Sequence, residues 1–222
     1  LIKITNYYQD AIEGNLYFNR LQYYREAEMK ERADEFETTA VSKPLYRLVD
    51  EDLFPCPVFC MYTVEAKENN PVAKIQLDDI RLKSFGSHAV VITNLKEFIY
   101  RIDTRLPEFN YKVVRYIDMK NPTGKDKPAI FTPIVTKDKY FTYQREFRIF
   151  SHNWALSTNT DYRNPNINYV DTAWKKFSVG SLKDITQLHP IDDLFSGIRV
   201  ELTIDWDFSH RDRFQTRLPK AG

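Results

Sequence analysis

The chain has 222 residues with 32 basic and 31 acidic side chains, a formal net charge of +1. That length suffices for a sizeable core, and so even a balance of charge gives no dominant face for nucleic acid. Aromatics are abundant (15 Phe, 14 Tyr, 3 Trp) and Gly is scarce at 6, a composition that favours sheets and aromatic-lined pockets over glycine-laced phosphate loops.

In chain order, LIKIT reads as a short strand, Gly14–Asn15 as a turn and LYF as an extended piece. LQYYREAEMKE has the spacing of a short helix, followed by a charged loop, RADEFETT. PLYRLV is a candidate strand. CPVFCMYTVE is a better one, apolar on both faces as in a fully buried strand. HAVVIT is the next strand. After it Asn94 is placed to cap a helix with Glu97 as the capping-box partner, and Leu95, Phe98, Ile99 and Ile102 form its buried stripe. YKVVRYID (111–118) reads as one strand. YFTYQREFRIF (140–150) reads as another, with Phe141, Tyr143, Phe147 and Ile149 on one face and Thr142, Gln144, Glu146 and Arg148 on the other. KKFSVG holds a short strand ending at Gly180, IDDLFSGI a short helix, and IRVELTIDWDF a last strand before a basic tail at about 209–222 that reads as frayed.

Many strands, few helices and no regular alternation between them predict an α+β fold. The expectation is a single domain over 1–222 with a mainly antiparallel, strongly twisted sheet, or two packed sheets, and a few flanking helices. No apolar run is long enough to cross a bilayer and no leader pattern is visible. Cys56 and Cys60 read as buried thiols, not as a disulfide framework, so the expected setting is reducing and cytoplasmic. His88, His152, His189 and His210 are scattered without metal-ligand spacing, and no metal is expected.

The candidate chemistry lies in Gln144 and Glu146, an amide and a carboxylate placed two apart on a strand. On one face they would touch different parts of one ligand, about 7 Å apart; the plain alternative is a solvated face with a Glu146–Arg148 pair. Arg25, beside Tyr24, is either a surface arginine packed on rings or a phosphate clamp.

Several stretches in order resemble a large uncharacterised family of bacterial and phage proteins linked to abortive infection and anti-phage defence. They are GNLYFNRLQYYRE with DEFE, VFCMYT, FGSHAVVITNLKEFIYRI, VVRYID, the lysine-led KDKYFTYQREFRIF and VGSLKDI. A weaker resemblance is to ADP-ribosyltransferases, in the succession Arg25, Thr63 and Gln144-x-Glu146. That resemblance implies a nucleotide-handling enzyme using NAD, with Glu146 as catalytic carboxylate and Gln144 orienting the acceptor or ribose. Arg25, Tyr24, Thr63 and Arg148 would bind the cofactor. The alternative is a non-catalytic defence or counter-defence protein that binds a partner protein or a nucleotide signal, since an excess of Tyr and Phe suits an interface as well as a stacking pocket.

Overall fold

A computed structural model describes residues 1–21, 39–42, 46–49, 56–64, 71–119, 133–151 and 174–203. The strands are β1 (Ile2–Thr5), β2 (Asn15–Arg20), β3 (Thr39–Ser42), β4 (Tyr46–Val49), β5 (Pro57–Tyr62), β6 (Val72–Ile75), β7 (His88–Ile92), β8 (Asn110–Val113), β9 (Arg115–Ile117), β10 (Thr136–Asp138), β11 (Glu146–Phe150), β12 (Trp174–Ser178), β13 (Thr186–Pro190) and β14 (Ile198–Glu201). Among the described residues the α-helices are α1 (Tyr8–Ile12), α2 (Leu95–Arg105) and α3 (Ile191–Ser196). The fold is α+β, as the pattern predicts. Its largest sheet has eight strands, β12-β2-β5-β1-β7-β13 with β11 and β8 added on the far side of β5, and every pairing in it is antiparallel. The pair β9–β10 is parallel.

Apolar clusters cover both faces of this sheet. On one, Phe18, Phe59, Phe147 and Ile149 meet Phe98 and Ile102 of α2. Asn94 caps α2 as expected, its Oδ1 accepting from the Glu97 N–H at 3.0 Å. On the other face, Ile2, Tyr62, Ala89 and Val91 pack against Ile75 of β6, Val200 of β14 and Leu194 of α3. A third cluster joins Leu21, Val58 and Phe150 to Ile134 and Val135. Burial on both faces is why β5 reads as a near-continuous apolar run.

The geometry that matters most is at β5. One edge pairs with β11 along its length, from Glu146 opposite Tyr62 to Phe150 opposite Val58. The other edge is shared: β2 holds its start (Asn19 opposite Val58) and β1 its end (Ile2 opposite Tyr62). Continued inward, the first register would bring Tyr17, and the second Ile4, opposite the same residue, Cys60. Both cannot fit, so β1 turns away to β7 and β2 to β12. The sheet opens into a wedge there. Because both strands run antiparallel to β5, they are parallel to each other and need a crossover, which α1 supplies. Gly14 closes that crossover. It has φ +76°, and a Cβ there would lie 1.8 Å from the Gly180 carbonyl oxygen.

Three expectations need correction. Residues 140–150 are not one strand: Lys139–Gln144 is a 3₁₀ turn, Arg145 is left-handed (φ 39°), and only Glu146–Phe150 is β11. Asp138 starts the turn by accepting the Tyr140 N–H on its side chain at 2.9 Å, a local bond that competes with the ladder. Residues 111–118 split at Val114, whose N–H goes to the Glu146 carbonyl, into β8 against β11 and β9 against β10. Beyond the short strand expected before Gly180, Thr186–Pro190 forms a further one, β13, on the edge of β7. The expected helix at LQYYREAEMKE and the frayed tail lie outside the described residues, as do Tyr24 and Arg25.

Candidate functional site

The wedge between β1, β2 and β5 forms a cleft of about 780 Å³. Lys137, Gln144 and Glu146 form its inner end, Lys3 and Cys60 its wall, and Asn6, Tyr7, Asp10 and Tyr17 its rim.

The inner end is built on the lysine ammonium. Lys137, on β10, is 1% exposed. Its Nζ donates to Gln144 Oε1 at 2.7 Å and to Glu146 Oε1 at 2.9 Å. Arg148, fully buried, donates Nε to Glu146 Oε2 at 2.7 Å and Nη1 to the Ile134 carbonyl at 2.6 Å. Gln144 also donates Nε2 to the Tyr143 hydroxyl at 3.2 Å, so its amide is oriented from both ends. The Arg81 guanidinium lies 3.6 Å from the centre of the Tyr143 ring and is held by Asp79, whose Oδ2 is 2.6 Å from Arg81 Nη2. The chain of contacts thus runs from the surface at Asp79 to the core at Ile134.

The left-handed residue makes this end possible. On a continuous strand Gln144 and Glu146 would project side by side at a fixed spacing. With the chain turning at Arg145, both side chains instead converge on one ammonium. Thr63 secures the turn: its N–H and its hydroxyl both donate to the Arg145 carbonyl at 2.8 Å. The backbone N–H of Glu146 donates to the Tyr116 hydroxyl at 2.9 Å.

Electrostatics fix the charge state. Burial works to raise the Glu146 pKa, but Arg148 and Lys137 outweigh it and hold the carboxyl at about 2. Glu146 is therefore an anion at neutral pH and does not act as a proton donor there. Cys60 goes the other way. Burial first, then the nearby Glu146 carboxylate, push its thiol up to about 12, so it is no thiolate nucleophile at neutral pH. Tyr116 is raised by the same two causes.

At the rim Asp10 accepts from Asn15 Nδ2 at 3.4 Å and from the Tyr17 hydroxyl. On the wall Lys3 donates its ammonium to the Cys60 carbonyl at 2.8 Å and lies 4.3 Å from the centre of the Phe59 ring.

Of the residues singled out from sequence, Gln144 and Glu146 lie together on the cleft. Thr63 and Arg148 stand behind it, the first holding the turn and the second holding the carboxylate. Lys137, Lys3, Asp10 and Tyr17 were not singled out. Lys137 had a faint signal, the lysine-led KDKY ahead of the aromatic run, but nothing local says that a lysine nine positions before a glutamate will meet it. Among the described residues no group of three or more His, Cys, Asp or Glu is placed to hold a metal ion, and no helix is long and apolar enough to cross a membrane. Compared with protein-family models, curated proteins and solved structures, the chain matches none.

Proposed function

We propose that this protein binds a nucleotide in the cleft, with NAD the first ligand to test, and that Glu146 meets it as a fixed, ionised carboxylate. The supporting observation is the inner end itself: an amide and a carboxylate gathered by one buried ammonium, 4% and 7% exposed for Gln144 and Glu146, on a cleft walled by aromatic side chains. A pocket of this volume, mostly apolar with a few oriented polar groups, suits a nucleotide-sized molecule. Glu146, on the lining of the cleft, offers a carboxylate acceptor to a sugar hydroxyl. If the bond between nicotinamide and ribose is cleaved, positive charge develops on the sugar, and an ionised carboxylate stabilises it.

A second reading, binding without turnover, has its own support. Lys137 and Arg148 both pair with Glu146 and offset much of its field. The experiment is one titration and one assay: calorimetric binding of NAD, ADP-ribose and AMP, and nicotinamide release by chromatography, for wild type and Glu146→Gln. Binding with release that Glu146→Gln abolishes supports the transferase-like reading. Binding with no release supports the second. No binding of any of the three sinks both.

A further inference from the structure

The rim of the cleft has a chemistry different from its inner end. Among Asn6, Tyr7, Asp10, Asn15 and Tyr17 the only formally charged side chain is Asp10. Its hydrogen-bond partners, the Asn15 amide and the Tyr17 hydroxyl, are neutral. Among the described residues no lysine or arginine pairs with it, whereas Glu146 at the other end has two cations. Two tyrosine rings stand with it, Tyr7 and Tyr17, their centroids 6.1 Å apart at 40°, and Tyr7 is 70% exposed at the cleft mouth. A carboxylate held only by neutral donors beside aromatic faces is the arrangement that attracts an organic cation, since the ring faces are themselves negative. Asn6 adds direction. Its Oδ1 accepts the Ser87 N–H at 2.9 Å, which leaves its amide Nδ2 as a donor on the same rim.

Resting on the second nucleotide reading above, binding without turnover, we infer that this rim is a subsite for a cationic aromatic ring, the oxidised pyridinium of a nicotinamide nucleotide, whose ribose bond then lies at the rim and away from Glu146. The ring stacks on Tyr7, its positive charge faces Asp10, and its carboxamide donates to Asp10 and accepts from Asn6. The phosphates then lie inward, toward the Lys3 ammonium. Charge is thus matched along the ligand: cation at the anionic rim, anion at the lysine-bearing wall.

The oxidised and reduced dinucleotides separate this from nucleotide binding in general, because the reduced ring is neutral while the rest of the molecule is unchanged. Calorimetric titration of the whole chain with NAD and with NADH is expected to show NAD bound about tenfold more tightly. The preference is expected to fall to near unity in Asp10→Asn and to weaken in Tyr7→Ala, a substitution at an exposed position. Equal affinities in the wild type, or a preference that survives Asp10→Asn, overturn the inference and leave nucleotide binding standing. If neither dinucleotide binds, the reading on which the inference rests falls with it. The wild-type comparison needs no variant, so a misfolded Asp10→Asn protein does not protect the idea.

Discussion

Glu146→Gln is the sharpest perturbation of the inner end, because it removes a charge and little else. Both cations that hold Glu146 are buried, so the amide leaves them facing each other without the carboxylate. Removing one partner of a buried ion network costs about 3–5 kcal/mol at neutral pH. The acid side gives a second, more specific number. The folded-state pKa is depressed from 4.5 to about 2. A depressed carboxyl stabilises the fold above its unfolded pKa and loses that stabilisation as pH falls through the folded value. The full difference, about 2.5 units, corresponds to about 3 kcal/mol, of which about 2 kcal/mol is gone by pH 3. Urea denaturation of wild type and Glu146→Gln at pH 7, 5, 4 and 3 reads this directly. The gap in unfolding free energy between the two proteins should narrow by about 2 kcal/mol from pH 7 to pH 3, because only the wild type has this carboxyl to protonate. Other carboxylates titrate equally in both and cancel. Parallel stability curves across that range would show that Glu146 is not a buried, doubly paired anion.

The same geometry sets further outcomes. Cys60 should react slowly with a soluble disulfide reagent up to at least pH 9, and faster in Glu146→Gln than in wild type, since the carboxylate helps to push the thiol up; stopped-flow absorbance measures both rates. At the left-handed turn, Arg145→Gly should cost less than 1 kcal/mol or stabilise slightly, whereas Arg145→Val, β-branched and forced to positive φ, should cost about 1–2 kcal/mol; chemical denaturation ranks the pair. Gly14→Ala should lower the melting temperature sharply, because its Cβ would collide with the Gly180 backbone, while Gly180→Ala has open space for its Cβ and only the cost of φ +81°; calorimetry should place it between Gly14→Ala and wild type.

Much of the fold was legible because single elements carry their own signals. The Asn94 cap with Glu97 three residues on, the stripe of Phe98 and Ile102, and the doubly apolar β5 each declare themselves locally. The site was legible only as residue types. Alternation across 140–150 suggested Gln144 and Glu146 as a pair on one strand face, and they do share a cleft, but for a different reason. A short 3₁₀ turn started by Asp138 and a left-handed arginine bring them together on Lys137. Arginine in that conformation has no sequence signature, unlike the glycine or asparagine that usually occupies it. Of the polar face, Thr142 is exposed, but Gln144, Glu146 and Arg148 proved buried, not solvated, because the segment Pro133–Asp138 carries Ile134 and Lys137 over them. The cleft itself was illegible: it exists because Tyr17 and Ile4 compete for one place beside Cys60, a conflict between two registers that no single segment records.

That shared edge also bears on the order in which the chain folds. β5 pairs with strands near the start of the chain and with β11 far beyond it, and β1 is held on its other side by β7. Each pairing closes a long loop before any contact rewards it, so these steps are slow compared with winding α2. The wedge acquires its walls only when β1, β2 and β11 have all reached β5. Binding of the proposed nucleotide should therefore appear in the last kinetic phase of refolding, after most helical signal has returned, and a strand that arrives out of turn and fills the gap beside Cys60 would give a well-paired sheet without the cleft.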